Sequence, residues 1–339
     1  MSQYQRYSRQ MLFSQIGEEG QKKFGDTSIL IVGMGALGTA IANHMVRAGF
    51  GKVRIVDRDY VEKSNLQRQM LFDENDVEAA LPKAVAAKNK LEKMNSEVTI
   101  EAITADVDAS NIIELLDGID MVMDGTDNFS TRFLLNDAAF KTGVPYVYGG
   151  AVSSRGMTAL FIPGETPCLR CFIQGSDSTT GETCDTIGVI SPIVDVIASY
   201  QVTEAMKYVV GAHDKLTRCL LTVDLWNNHT YSMKYSSPKA DCKACQKKEY
   251  PALHHGATDN IASLCGRETI QIKIEKTFDL TEWSNKLENI AKVKKTPFLL
   301  KAELEEGERL VIFPDGRVLV QGTSDSGRAK ALYSRYIGM

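Results

Sequence analysis

A doubly wound α/β sheet followed by a small α+β domain is the architecture that this 339-residue sequence predicts. Three observations predict it. A short apolar run, Ser28–Val32, opens directly onto Gly33-Met-Gly-Ala-Leu-Gly38 and then onto helical spacing of Ile41, Met45 and Ala48. Strand-like and helix-like segments then alternate at lengths that suit parallel crossovers. Near residue 250 the pattern breaks at Pro251, the His254-His255 pair and Gly256, then restarts as short strands.

In chain order, Ser28–Val32 is a buried parallel strand, since it is continuously apolar and ends in glycines. Lys52–Val56 is the second strand and closes on Asp57. Further strands are expected at 98–104, 119–124 and 146–148, with helices over 83–94, 110–116 and 129–142. After Arg155 strands take over, at 157–162 and 217–225, around one helix over 193–210. The domain boundaries read as 1–249 for the large unit, 250–265 for a linker and 266–339 for the small one. Within the last, strands are expected at 269–274, 298–301, 309–313 and 317–320, and helices over 281–290 and 326–336.

Apolar residues make up 43% and charged residues 24%, the balance of a soluble globular protein with a sizeable core. The formal net charge of −4 offers no basic field for nucleic acid. The first ten residues lack the basic-then-apolar order of a signal peptide. The most apolar stretch, Pro192–Val210, is broken by Asp195, Glu204 and Lys207, so no membrane span is expected and a cytoplasmic protein is the default.

The glycine turn carries the first chemical signal. Gly33, Gly35 and Gly38 fit G-x-G-x-x-G between a strand and a helix, with Asp57 placed 19 residues after the last glycine. Glycines let backbone N–H groups approach a phosphate at a helix start, and an acid at the end of the next strand takes ribose hydroxyls. Taken alone the motif is only moderately specific: a glycine turn in a purely structural domain is the minority alternative, and within the nucleotide-binding reading an NAD-dependent oxidoreductase is the usual expectation. In the run Ser64-Asn-Leu-Gln-Arg-Gln69, Asn65, Arg68 and Gln69, followed by Lys83 in Pro82-Lys83, then add two amides and two cations. A hydride-transfer enzyme has no evident use for these, whereas cleavage between α and β phosphates calls for such cations. Asp124-Gly-Thr-Asp-Asn128 follows a strand, and Asp127 there suits Mg²⁺ carried on ATP.

Seven cysteines are present. Cys168-Leu-Arg-Cys171 and Cys242-Lys-Ala-Cys245 are two C-x-x-C knuckles with 70 residues between them. Four thiolates make a closed tetrahedral site for structural Zn²⁺, which would pin two distant segments as an extension of the sheet; a redox role is the alternative. Cys184 stands in a small, polar, glycine-punctuated stretch expected to be an exposed loop, where a thiol has access but no neighbouring base. Cys219, in an apolar strand, reads as core.

Together these residues resemble the MoeB/ThiF adenylyltransferases, bacterial relatives of ubiquitin-activating enzymes. The resemblance runs from about Tyr4 to Glu249 and rests on Arg6-Tyr-Ser-Arg-Gln10, Gly33 to Gly38, Asp57, Ser64 to Gln69, Pro82-Lys83, Thr126 to Asn128, the two knuckles and Cys184-Asp-Thr-Ile-Gly-Val189. It implies a homodimer that adenylates the C-terminal glycine of a small ubiquitin-like sulfur-carrier protein ending in Gly-Gly and releases pyrophosphate. By the same resemblance Asp57 binds the ATP ribose, and Gly35 and Ala36 lie near the phosphates. Ser64, Asn65, Arg68 and Lys83 meet the triphosphate, Asp127 holds Mg²⁺ beside Asn128, and Arg9 reaches into the partner subunit's site. Cys184 matches a loop cysteine that thiazole-pathway members use in a covalent link to the carrier. Two departures stand out. A glycine that members often carry shortly before Pro-Lys is missing, and the C-terminal domain lacks a rhodanese-type cysteine loop. Sulfur is therefore expected from a separate donor such as a cysteine desulfurase. Service to the thiazole or the molybdopterin pathway, or a tRNA-modifying role within the family, stays open.

Overall fold

The computed structural model describes residues 4–173, 187–254, 268–274 and 276–338, and the backbone of 261–263. The chain divides into two compact units, Met1–Gly256 and Ala257–Met339.

The first unit is built on an eight-stranded sheet. Its strands are β1 (Ser28–Val32), β2 (Lys52–Val56), β3 (Thr99–Ile103), β4 (Met121–Asp124), β5 (Tyr146–Val152), β6 (Arg155–Phe161), β7 (Cys219–Asp224) and β8 (His229–Lys234). They lie in the order β3-β2-β1-β4-β5-β6-β7-β8. From β3 to β5 all neighbours are parallel, and from β5 to β8 all are antiparallel. The central parallel strands β1 and β4 are short and almost wholly buried because both faces of the sheet are covered there, whereas β2 and β3 toward the edge carry Lys52, Arg54 and Glu101. In β1, Ile29 and Ile31 pack on one side with Ile41 and Met45 of helix Ala36–Ala48. Leu30 and Val32 pack on the other with Phe133 and Leu134 of helix Phe129–Thr142. This two-sided burial makes the fold a mixed α/β sheet of Rossmann-like order.

The chain leaves β1 toward β2 on one side and returns at β4 on the other, so the strand order reverses at β1. The carboxyl ends of β1, β2 and β4 therefore open a crevice there, the usual place for a ligand in such sheets. Helix Lys83–Met94 begins beside β2, and Lys83 N–H donates to the Asp59 carbonyl at 2.8 Å. Helix Ser191–Val210 packs against helix Ala36–Ala48 from behind.

Besides the short helices Ser8–Met11, Glu74–Glu78 and Leu169–Phe172, two longer elements of this unit were not legible. Helix Gly17–Asp26 buries Gly20, Gln21 and Phe24, of which only Phe24 is a large apolar residue, and every residue of β8 is exposed, so neither shows an apolar period.

The second unit contains β9 (Ile261–Ser263), β10 (Thr269–Lys273), β11 (Lys292–Lys295), β12 (Leu300–Glu303), β13 (Arg309–Ile312) and β14 (Arg317–Gln321). They form an antiparallel sheet in the order β11-β12-β13-β14-β10-β9. Helices Leu280–Leu287 and Ser326–Tyr336 supply Trp283, Leu287, Leu332 and Tyr333 to the core with Ile270 and Ile272 of β10. Asp279 and Asp325 cap these helices, each carboxylate accepting two backbone N–H groups. β9 falls inside the stretch expected to be linker, and β11, with its three lysines, was not anticipated as a strand. Among the described residues no helix is long and apolar enough to cross a membrane.

Candidate nucleotide site and cysteine cluster

The glycine turn is closed by backbone packed on backbone. Gly33 has φ +87°, a left-handed conformation that favours glycine, and its N–H donates to the Val56 carbonyl at 2.8 Å. A Cβ on Gly38 would stand 1.8 Å from the Gly33 carbonyl oxygen, and one on Gly33 would stand 2.7 Å from that of Gly125. Gly38 is thus required by packing, which draws the turn after β1 against the turn after β4. Gly35 differs. Its added Cβ would meet nothing nearer than 3.9 Å, and Gly35 and Ala36 are half-exposed. No side chain caps the helix that starts at Ala36, so its first N–H groups face the crevice and suit an anion.

Asp57 lies at the end of β2 and binds this turn directly. Its Oδ2 accepts from Met34 N–H at 2.6 Å and its Oδ1 from Asp59 N–H at 2.7 Å. Each oxygen keeps acceptor capacity for a hydroxyl. Burial pushes the Asp57 carboxyl above the usual carboxylate range, while the Lys83 ammonium and the two N–H groups pull the other way. Lys83 is only 3% exposed, and its Nζ stands 3.1 Å from Asp59 Oδ2. Sequence reasoning missed Asp59, which fixes this lysine through both its backbone and its side chain.

The turn after β4 is held from beneath. Asp124 is buried, and its Oδ1 accepts from Thr126 N–H at 2.9 Å and Thr126 Oγ1 at 2.7 Å. Tyr146 OH donates to its Oδ2 at 2.5 Å. Burial raises the Asp124 carboxyl, and the Arg132 guanidinium opposes that rise. Arg132 Nη2 donates to the Thr126 carbonyl at 2.8 Å. Asn128 caps helix Phe129–Thr142 by accepting from Thr131 N–H at 2.9 Å. Asp127, between these fixed neighbours, is exposed. Arg132 was also missed; the helix is buried on every side from Arg132 to Phe140, and a lone arginine in its sequence gives no sign of that.

The polar run after β2 divides. Asn65 is buried, and its Oδ1 accepts from Glu62 N–H at 3.0 Å in a local capping box. Arg68 Nη1 donates to the carbonyl of the exposed Ser64 at 2.9 Å, within its own turn. Arg9 is exposed in the one-turn helix Ser8–Met11. The structure thus draws Gly33, Gly35, Ala36, Gly38, Asp57 and Lys83 into one constellation and sets Asp127 at the adjoining turn. Cys184 lies outside the described residues.

The cysteines converge from distant segments. The sulfurs of Cys168, Cys171, Cys242 and Cys245 all lie within 4.8 Å of one another, and the Cys168–Cys242 and Cys171–Cys245 pairs are 3.5 Å apart. A tetrahedral ion with bonds of about 2.3 Å to sulfur has edges of about 3.8 Å, so the four groups fit such an ion. Cys168, Cys171 and Cys242 are buried. S–H donors, Cys168 first, hold the Cys245 thiol down to about 5, so one thiolate is favoured by its neighbours alone. The first knuckle is tied to the sheet's helical cover. Arg170 makes paired bonds of 2.7 and 2.8 Å to the buried Asp137, and Leu169 N–H donates to Asn136 at 2.9 Å.

A sequence profile described as "ThiF family" matches residues 7–244. The chain belongs to the ThiF family. Across 98% of this chain and 99% of the other protein, it is 44% identical to the sulfur carrier protein ThiS adenylyltransferase of Bacillus subtilis (strain 168). It is 33% identical to the SAMP-activating enzyme E1 of Haloferax volcanii, over 81% of this chain and 97% of that one. A sulfur carrier protein adenylyltransferase of Thermus thermophilus is 38% identical over 65% and 82% of the two chains. Among solved structures, Escherichia coli MccB with ATP superposes with a TM-score of 0.62 at 22% identity, covering 72% of this chain and 75% of MccB. That likeness concerns the fold. The relatives bear out the family expected from the glycine turn, the polar run and the knuckles.

Proposed function

We propose that this ThiF-family protein is an adenylyltransferase that uses ATP to activate the C-terminal glycine of a small ubiquitin-like sulfur-carrier protein. One observation carries the reading: the 44% identity to a ThiS adenylyltransferase spans nearly the whole of both chains, second unit included. A carrier of ThiS type, serving thiamine thiazole synthesis, is therefore favoured over one of MoaD type, serving the molybdenum cofactor.

The chain's groups divide the work. The helix start at Gly35 and Ala36 receives phosphate oxygens, and Asp57 accepts ribose hydroxyls. Lys83, with Arg68 and the polar run from Ser64, offsets charge on the β and γ phosphates as pyrophosphate departs. The carrier's terminal carboxylate attacks the α phosphorus. The bond to the bridging oxygen breaks, giving an acyl-adenylate and pyrophosphate. Asp127, exposed on a rigid turn, would hold Mg²⁺, which supplies charge neutralisation to the nucleotide. Arg9, exposed near the N-terminus, would complete the site of a second subunit in a homodimer. The four cysteines would hold a structural Zn²⁺, since a closed set of four sulfurs leaves no position for substrate. Residues 1–249 would carry the reaction and 266–339 are given no chemistry. A cysteine desulfurase or similar donor would supply sulfur.

The test is exchange of labelled pyrophosphate into ATP with a carrier ending in Gly-Gly, against the same carrier lacking its last glycine. Exchange is expected only with the intact carrier. Its absence there, with NAD bound in preference to ATP, would return the protein to oxidoreductase chemistry.

A further inference from the structure

The nucleotide reading places phosphates after β1 and ribose after β2, and leaves the base without a partner. Neighbouring strands are about 4.8 Å apart, so a nucleotide that runs from the Gly35 helix start past Asp57 carries its base on toward β3. Two side chains meet there. Arg58 directly follows Asp57, and its Nη1 stands 3.1 and 3.2 Å from the two carboxylate oxygens of Asp106. Asp106 leaves β3 three residues after Ile103, the residue in register with Val56. Asp57 N–H donates to the Ile103 carbonyl at 3.2 Å, so the two exits stay side by side.

Asp106 is also set from behind. Asn111 Nδ2 donates to the Asp106 carbonyl at 2.7 Å, and Asn111 Oδ1 accepts from Asp108 N–H at 3.0 Å. The side chains of Arg58 and Asp106 are 30% and 24% exposed, which is neither a fully solvated pair nor a core pair. Burial pushes the Arg58 guanidinium down, and the charges of Asp106, Asp59 and Asp127 outweigh it and hold the group charged.

We propose that Arg58 and Asp106 form the base-binding part of this site: Asp106 accepts a hydrogen bond from the exocyclic amine of adenine, and the Arg58 guanidinium packs on the face of the ring. The assignment rests on the nucleotide reading given above. Its chemistry follows from donor and acceptor types. An ionised carboxylate only accepts, adenine presents an N–H donor at its position 6, and hypoxanthine and guanine present a carbonyl oxygen there. That oxygen would face the carboxylate and be repelled, so the pair selects for adenine. A planar guanidinium already fixed by a carboxylate offers a flat cation to an aromatic face. A surface ion pair that merely ties two loops together would do none of this.

Calorimetric titration of the full chain with ATP and with inosine triphosphate, both with Mg²⁺, tests the proposal without the carrier. The unchanged protein should bind ATP about 10- to 100-fold more tightly than inosine triphosphate, the range for one hydrogen bond to a charged group. Asp106→Ala should lose that factor for ATP while holding or gaining affinity for inosine triphosphate, which also reports that the variant is folded. Arg58→Ala should weaken both nucleotides about 3- to 10-fold, and Asp57→Ala should weaken both and leave their ratio as it was. A ratio unchanged in Asp106→Ala, or no discrimination by the unchanged protein, would overturn the base assignment and leave the phosphate and ribose site standing. An unchanged protein that binds neither nucleotide would overturn the site itself.

Discussion

At the ends of the parallel strands, Asp127 stands exposed and Lys83 is held 3.1 Å from Asp59, whereas the four cysteine sulfurs already lie within 4.8 Å of one another behind buried walls. The crevice gathers groups from four turns and leaves donors and acceptors facing outward. The cluster gathers four like groups from two turns and turns them on each other. On the reading proposed above, the crevice would take in and release a ligand, and the cluster would close a fold. Each plan makes its own prediction: the crevice should be broken by losing charge, and the cluster by losing cohesion.

The largest effect is expected in the crevice. Asp127→Ala removes an exposed carboxylate from a turn fixed by Asp124, Thr126 and Arg132, so the fold should be nearly untouched. Pyrophosphate exchange should fall by about 100-fold or more, as it does when a metal or charge-stabilising group is lost. Exchange that persists would take Asp127 out of the mechanism and leave the crevice without its proposed Mg²⁺ ligand.

The cluster should answer in stability. Structural sites of this kind contribute folding free energy directly, so Cys242→Ser should lower metal content and thermal stability together, by about 10 °C for a few kcal/mol in a unit of this size. A chelator strong enough to strip zinc should do the same to the unchanged protein. About one zinc per chain is expected by metal analysis. Carefully purified protein with no zinc and four freely titratable thiols would sink the contrast between the two regions.

A smaller effect separates them by pH. Burial raises the Asp57 carboxyl, so its acceptor form is lost at a higher pH than for an ordinary aspartate. ATP affinity should be full well above that raised value and weaken by up to about 10-fold per unit below it. Asp57→Asn should bind ATP weakly and lack this component of the pH dependence. For stability the sign reverses. The folded state holds this proton more tightly than the unfolded one, so the group's contribution is present in acid and lost as pH rises through the raised value.

The two regions were also unequally legible. The glycine turn, Asp57 and Lys83 stood out because strand, turn and helix each carry a local pattern, and the helices over 83–94 and 129–142 fell where their periodicity placed them. The knuckles were legible from spacing, and the fold brings them together as that spacing implied. What stayed hidden depends on tertiary neighbours. Asp59 and Arg58 look like ordinary charges beside Asp57 until Lys83 and Asp106 fold against them. Asn65 was expected at the triphosphate; that it is also buried and caps its own turn is a second role that only the folded turn reveals. β8, exposed throughout, has no buried side to betray its period.

The smallest effect is expected at Cys184, which lies outside the described residues. In the proposed step the nucleophile is the carrier's own carboxylate, and the leaving group is pyrophosphate. No thiol is consumed or regenerated, so Cys184→Ala should leave pyrophosphate exchange within about twofold of its original rate. A role could arise only later, once the acyl-adenylate exists and sulfur has been delivered to the carrier as a thiocarboxylate. The thiol would then need a two-electron oxidant of disulfide class, such as a donor persulfide that is reduced to a thiol and hydrogen sulfide, to join the thiocarboxylate through an acyl-disulfide. Enzyme, carrier, ATP and a persulfide-bearing donor, run on a non-reducing gel, would show a conjugate that thiols release. Its formation in the unchanged protein and loss in Cys184→Ala would give the cysteine a place after adenylation. A conjugate that forms equally well in both would leave Cys184 an ordinary cysteine, and the crevice would account for the activation step without it.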